Sequence, residues 1–211
     1  MKIVSLITAR GGSKGIPNKN LVSIGNYPLI YYTIKASINS NVDETWVSTD
    51  CENIAAVSRK FGANVIMRPD HLSNDIIMPD AALIHFAEKK HFDKIVFIQP
   101  TSPLLSSEFI NEGILKSQKC DSVFSAYKEH WQPRWTKESK PINWSIENRP
   151  RRQDVEEVYV ENGAFYITTK TQLLSSKLRY SGNIEIVEMP HSLSFQLDSK
   201  DDLKILEKML C

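Results

Sequence analysis

The sequence predicts an α/β fold: a mostly parallel sheet flanked by helices, with one small arm leaving it. Three observations carry this. Short apolar runs rich in β-branched residues alternate with helical segments of about ten residues, the rhythm of βαβ units. Glycine-rich or polar segments follow the first, second and fourth of those runs, where an open parallel sheet presents its ligand-binding edge. One stretch, residues 128–154, lacks periodicity and holds Trp131, Trp135, Trp144 and three of the ten prolines.

Lys2 to Ile7 (KIVSLI) ends at a glycine cluster and reads as a buried first strand. A loop from Ala9 to Asn20 follows. Pro28 to Ile38 has helical spacing with proline in its first turn. Thr45 to Ser48 is a second strand ending at Thr49-Asp50, Glu52 to Phe61 is helical, and Asn64 to Met67 is a third strand beyond the Gly62 break. Pro79 to Lys90 is a helix with Ala82, Leu83, Phe86 and Ala87 at its apolar positions, and Lys94 to Ile98 (KIVFI) is a fully apolar fourth strand. Glu108 to Lys116 is helical and Ser122 to Ala126 is a strand. Residues 128–154 form an excursion from the sheet, a hairpin-like arm. Val158 to Thr168 and Asn183 to Glu188 return as strands, and Ser199 to Leu210 closes the chain as an amphipathic helix. With no internal repeat, a single domain over residues 1–211 is expected.

Hydrophobic residues make up 41% of the 211 and charged residues 24%, which excludes disordered and fibrous classes. No apolar run approaches the ~20 residues needed to span a bilayer, and no small-residue cleavage site follows the first run, so a cytoplasmic protein is expected. Cys51, Cys120 and Cys211 form no CxxC pair, which argues against a disulfide framework or a zinc knuckle. The five histidines lack metal-ligand spacing, and neither GxSxG nor HExxH occurs, so serine and zinc hydrolases have no support. A net charge of +1 gives no case for nucleic acid or an anionic membrane as partner. Its distribution says more: Lys2, Arg10, Lys14, Lys19 and Lys35 all precede the first acidic residue, Asp43. A field of one sign at one end of a near-neutral chain calls for an anion.

The first loop is the richest candidate. Gly11, Gly12 and Gly15 let backbone N–H groups approach a ligand, and Arg10, Lys14 and Lys19 add three cations with no carboxylate between them. That suits a polyphosphate, although neither GxxxxGK[ST] nor GxGxxG is present; the alternative is a surface loop with solvated lysines. Asp50, at a strand end, could hold a metal, orient a ribose or cap the following helix. Arg68 could contact a ligand or form a surface ion pair. Arg151-Arg152 could bind a carboxylate or belong to a solvated arm.

Taken in order, ARGGSKGIPNKN (Ala9 to Asn20), VSTD (Val47 to Asp50), Arg68-Pro69, QPTSPL (Gln99 to Leu104), RRQD (Arg151 to Asp154) and NGAFYI (Asn162 to Ile167) resemble the CMP-sialic acid synthetases, the acylneuraminate cytidylyltransferases. The resemblance covers essentially the whole chain. It implies a Rossmann-like domain that, with Mg²⁺, transfers CMP from CTP to a nonulosonic acid such as N-acetylneuraminate or legionaminate and releases pyrophosphate. It also implies a homodimer in which the arm helps shape the partner's sugar pocket. Matched position by position, Ala9, Arg10, Gly11, Gly12, Ser13, Lys14, Lys19, Asn20 and Arg68 fall on the nucleotide side, with Arg10, Lys14 and Lys19 in catalytic roles. Gln99, Thr101, Ser102, Arg152 and Tyr166 fall on the sugar side.

The chain departs from the family at three places. Phe195-Gln196-Leu197-Asp198 replaces a segment with two metal-binding aspartates, so Asp198 is the expected ligand, and either Asp50, Asp201 or Asp202 compensates for the lost carboxylate or metal affinity is lower. Leu105 stands where an arginine is common, and Glu156-Glu157 replaces the stretch with a proline after the arginine pair. Rival expectations are another nucleotide, a Kdo-type acidic sugar, or a catalytically weakened nucleotide-binding protein.

Overall fold

Residues 1–13, 15–73 and 78–210 are described by a computed structural model. Each apolar run becomes a strand and each helical spacing a helix. In chain order the elements are β1 (Ile3–Thr8), the short pair β2 (Ser23–Ile24) and β3 (Tyr27–Pro28), α1 (Leu29–Ile38), β4 (Glu44–Thr49), α2 (Glu52–Lys60), β5 (Asn64–Met67) and α3 (Pro79–Lys89). There follow β6 (Lys94–Ile98), α4 (Ser107–Lys116), β7 (Ser122–Lys128), β8 (Tyr159–Thr169), α5 (Lys170–Ser176), β9 (Ile184–Glu188) and α6 (Lys200–Leu210).

The seven-stranded sheet has the order β5-β4-β1-β6-β8-β7-β9. β1 pairs in parallel with β4 and β6, β4 with β5, and β7 with β9. β8 runs antiparallel to both its neighbours, opposing Ile98 to Phe165 on one side and Phe124 to Tyr166 on the other. The chain leaves β1 toward β4 on one side and returns to β6 on the other. The carboxyl ends of β1, β4 and β6 therefore meet at a switch in strand order, the place where such sheets bind ligands.

Both faces of the sheet are covered, which is why the central strands β1 and β6 are buried along almost their whole length. One layer packs Ile30 and Ile34 of α1, Ile54 of α2 and Ile110 of α4 on Ile7, Val47 and Phe165. The other packs Leu83 and Phe86 of α3 and Leu173 of α5 on Leu6, Phe97 and Tyr166. A satellite cluster of Ile16, Ile24, Leu29, Leu197 and Leu206 fixes the carboxyl-terminal segment against the first loop.

The structure adds two elements that the sequence reading passes over: the β2–β3 turn, with Gly25 at φ 58°, and α5, whose first turn is capped by the Thr169 hydroxyl accepting from the Gln172 amide. Residues 128–154 do form a hairpin-like excursion. The Thr136 amide donates to the Lys140 carbonyl and the Ile142 amide to the Arg134 carbonyl, and Trp135 meets Trp144 edge to face at 4.9 Å. Among the described residues no helix is long and apolar enough to cross a membrane. Cys51 and Cys120 are free thiols; Cys211 lies outside the described residues.

Candidate functional site

Two recesses meet at the carboxyl edge of the sheet, and Gln99, one residue past β6, lines both. The first, a cleft of about 430 Å³, is lined by Arg10, Ser13, Gly15, Lys19, Asn20, Arg68, Phe97, Pro100 and Thr101, among others. The second, about 480 Å³, is lined by Tyr127, Glu161, Asn162, Gly163, His191, Ser194, Gln196, Asp198 and Asp202, among others.

The first loop is tied down at both ends. The Gly11 amide donates to the Asp50 carboxylate at 2.9 Å, and the buried Asn20 side chain donates to the Arg10 carbonyl at 2.9 Å. A Cβ at Gly11 would stand 2.9 Å from that of Cys51, so only glycine lets the loop lie this close to the end of β4. Asp50 thus anchors the loop and does not cap α2, whose first residue is preceded by Cys51 with no side-chain cap. Ala9 is fully buried beneath the loop. Lys14 lies outside the described residues.

Lys19 reaches across the mouth. Its Nζ donates to the Leu197 carbonyl and to the Asp198 carboxylate, both at 3.1 Å, and so joins the first loop to the segment before α6. Asp202 completes that segment: its carboxylate accepts from the Asp198 and Ser199 amides while the Ser199 hydroxyl accepts from the Asp202 amide, a reciprocal cap at the start of α6. Arg68 is 7% exposed, its backbone amide donates to the Thr49 carbonyl, and its side chain donates to the Ser73 hydroxyl at 3.1 Å. Burial lowers its pKa from the usual arginine value, and neighbouring Arg10 adds to the lowering while Asp50 opposes it. It is a cleft residue, not a surface ion pair.

The second recess is built on the start of β8. Gly163 has φ 70°, and a Cβ there would fall 2.6 Å from the Gln196 amide nitrogen. That nitrogen donates to the Asn162 carbonyl, and the Gln196 side-chain oxygen accepts from the Thr101 hydroxyl at 3.3 Å. Both ends of the amide are occupied by protein, so Gln196 clasps β8 to the QPTSPL turn. Gly163→Ala is expected to cost about 1–2 kcal/mol through the left-handed backbone alone. Its denaturation midpoint in urea should fall; an unchanged midpoint would show that the strand start absorbs the methyl group.

Three residues expected on the sugar side are placed elsewhere. Tyr166 is 2% exposed and stacked between Phe97, at 5.6 Å, and Tyr180, at 5.8 Å, because its position in β8 points it into the sheet's helical layer. Ser102 is 3% exposed and lines neither recess. Arg152 is exposed in a 3-10 turn at the end of the arm and reaches neither recess of its own chain. Residues not anticipated include Phe97, Glu161 and Pro79. Of these, Glu161 was signalled by its place directly before NGAFYI.

Residues 4–208 match a sequence family described as cytidylyltransferase. The chain is 36% identical to N-acylneuraminate cytidylyltransferase B of Danio rerio over 214 residues, covering 97% of this chain and 50% of that one. It is 30% identical to N-acylneuraminate cytidylyltransferase of Streptococcus agalactiae serotype V over 213 residues, covering 96% and 52%. The chain therefore spans about half the length of these relatives. Among solved structures, CMP:2-keto-3-deoxy-manno-octonic acid synthetase in complex with CTP superposes with TM-score 0.77 at 18% identity, covering 100% and 98% of the two chains. 4-Diphosphocytidyl-2C-methyl-D-erythritol synthase of Anaerococcus prevotii follows at 0.73 and 12%, covering 99% and 96%. These two likenesses confirm the α/β architecture.

Proposed function

Since the chain belongs to the cytidylyltransferase family, we propose that it transfers CMP from CTP to a sialic-acid-like nonulosonic acid and releases pyrophosphate. The observation that carries this reading is the pairing of a cation-lined cleft with a recess of amides and carboxylates across Gln99. Arg10, Lys19 and Arg68 provide the charge that a triphosphate requires, and Gly15 and Asn20 line the same wall. Nucleotidyl transfer needs little covalent help from a protein, so positioning and charge neutralisation carry the rate.

In this mechanism the anomeric hydroxyl of the sugar attacks the α-phosphorus in line and gives up its proton to solvent. The new phosphorus–oxygen bond forms as the bond to the β-phosphate breaks, and pyrophosphate departs toward Arg10 and Lys19. Thr101 and Gln99 bound the acceptor's entry. The donor set fits one magnesium ion: Mg²⁺ binds through one or two carboxylates plus substrate phosphates, and Asp198 offers an exposed carboxylate at the mouth. Asp198 would hold it, with Gln196 engaged elsewhere, and the ion would supply further neutralisation of the triphosphate.

The proposal extends to a cytoplasmic homodimer. Arg152 stands away from its own recess, and the arm exposes Trp135, Ile142 and Ile146, so the arm of a second copy is the natural source of a cation for the acceptor's carboxylate. Sedimentation of the protein should give twice the chain mass; a monomer that is fully active would remove this part of the reading.

Incubation with Mg²⁺, each of CTP, UTP, GTP and ATP, and a panel of nonulosonic acids and Kdo tests the whole. A CMP-sugar, identified by mass and formed only with CTP and a nonulosonic acid, is expected. Product from Kdo alone, or from another nucleotide, would redirect the assignment, and CTP binding without product would end it.

A further inference from the structure

The acceptor recess poses an electrostatic problem for an acidic substrate. Its lining includes Glu161, Asp198 and Asp202 and, among the described residues, no lysine or arginine. The cations stand next door, in the cleft of Arg10, Lys19 and Arg68. A nonulosonic acid carries its carboxylate on the same carbon as the hydroxyl that reacts. The reacting carbon must stand beside the α-phosphate, at the border of the cation-lined cleft, which leaves the polyhydroxyl, acylamino tail among the carboxylates of the second recess.

Glu161 is held there more firmly than an exposed glutamate ordinarily is. One of its oxygens accepts from the Tyr166 hydroxyl and the other from the Tyr180 hydroxyl at 3.4 Å. Tyr166 is itself fixed. Phe97 and Tyr180 stack on it, and the Arg179 guanidinium lies 5.2 Å from its ring centre. Arg179 is in turn clamped by Asp80 at the start of α3, through its Nε at 3.3 Å and a terminal nitrogen at 2.5 Å. Burial and the Glu161 carboxylate raise the Tyr166 hydroxyl well above the usual tyrosine range, so it stays a donor at any physiological pH. The partners of Glu161 are two phenols and not a cation, and its residue lines the recess.

We propose that Glu161 is the specificity-determining residue for the acceptor: its phenol-anchored carboxylate accepts hydrogen bonds from hydroxyl or amide donors on the sugar's tail. This rests on the cytidylyl-transfer reading above. Tyr166, Tyr180 and Arg179 act through Glu161 as positioning residues.

The test uses the full chain with Mg²⁺, CTP and N-acetylneuraminate, and beside it an analogue whose tail hydroxyl and amide donors are removed or methylated. E161Q preserves shape and removes charge; it should raise the KM for N-acetylneuraminate about tenfold while leaving the KM for CTP within about twofold. With the donor-free analogue, E161Q and wild type should match. Tyr180→Phe, which removes the weaker anchor, should raise the acceptor KM by a smaller factor, about threefold, with kcat little changed. An unchanged acceptor KM in E161Q, an equal rise with the donor-free analogue, or a parallel rise in the KM for CTP each overturns the proposal. A wild-type protein that forms no CMP-sugar overturns the transfer reading itself, a result distinct from any of those.

Discussion

Lys19→Ala is expected to lower kcat/KM for the proposed CMP-sugar formation by about a hundredfold. A charge-assisted hydrogen bond to phosphate contributes about 1.5–3 kcal/mol, and each 1.4 kcal/mol is a factor of ten. Lys19 stands at the upper end of that range because its ammonium also bridges the Leu197 carbonyl and Asp198, so its loss unties the carboxyl-terminal segment from the first loop. Lys19→Arg should recover only part of the activity, since a planar guanidinium does not replace a compact ammonium between a carbonyl and a carboxylate. Steady-state kinetics with CTP varied, beside direct CTP binding, measure this. Activity within about threefold of wild type would mean that the phosphates lie elsewhere.

Asp80→Leu is expected to destabilise the fold by about 3 kcal/mol, a large part of the ~5–15 kcal/mol that holds a domain together. Asp80 and Arg179 are 13% and 15% exposed at their side chains, and Asp80 accepts from the backbone amide of Arg179 as well as from its guanidinium. Removing the carboxylate strands a mostly buried cation against Phe97 and Tyr166. The double variant Asp80→Leu/Arg179→Met removes both charges and should be more stable than Asp80→Leu alone, because most of the cost is the unpaired charge. Urea denaturation of the three proteins decides it. A double variant no more stable than the single would place the cost in lost packing instead.

The fold was legible wherever local pattern and tertiary burial agree. KIVSLI and KIVFI carry consecutive apolar residues on both faces of the strand because helices cover both sheet faces, and such runs declare themselves. The direction of β8 was not legible. Its composition is that of the parallel strands, and only the long excursion before it, which lets the chain enter from the opposite end, decides the sense of pairing. The β2–β3 turn is two residues a side, too short for periodicity, although Gly25-Asn26 is a hairpin signal in its own right. α5 has no broad apolar stripe; Leu173 is the only one of its residues that is fully buried.

At the site, residues on loops were easier to place than residues on strands. Glycines and cations between β1 and α1 have few roles other than binding an anion, and Arg10, Lys19 and Asn20 do line the cleft. Tyr166 and Glu161 both lie on β8, and an aromatic and a carboxylate five residues apart give no hint of which one reaches the opening. The structure shows the aromatic buried and the carboxylate at the rim, joined by one hydrogen bond. Asp50 was read as a ligand or a cap; its partner is the Gly11 amide, a contact between residues 39 apart that no local pattern reveals.

The reversed sense of β8 has a consequence for how the protein can change. Because β8 runs against β6, its opening residues, Glu161 to Gly163, arrive at the edge where β6 ends. The wall proposed to meet the acceptor is thus woven into the pleated scaffold, whereas the wall proposed to meet the nucleotide hangs from it as a connecting segment. Variants selected for a new sugar should therefore tend to lose thermal resilience, and variants selected for a new nucleotide should not.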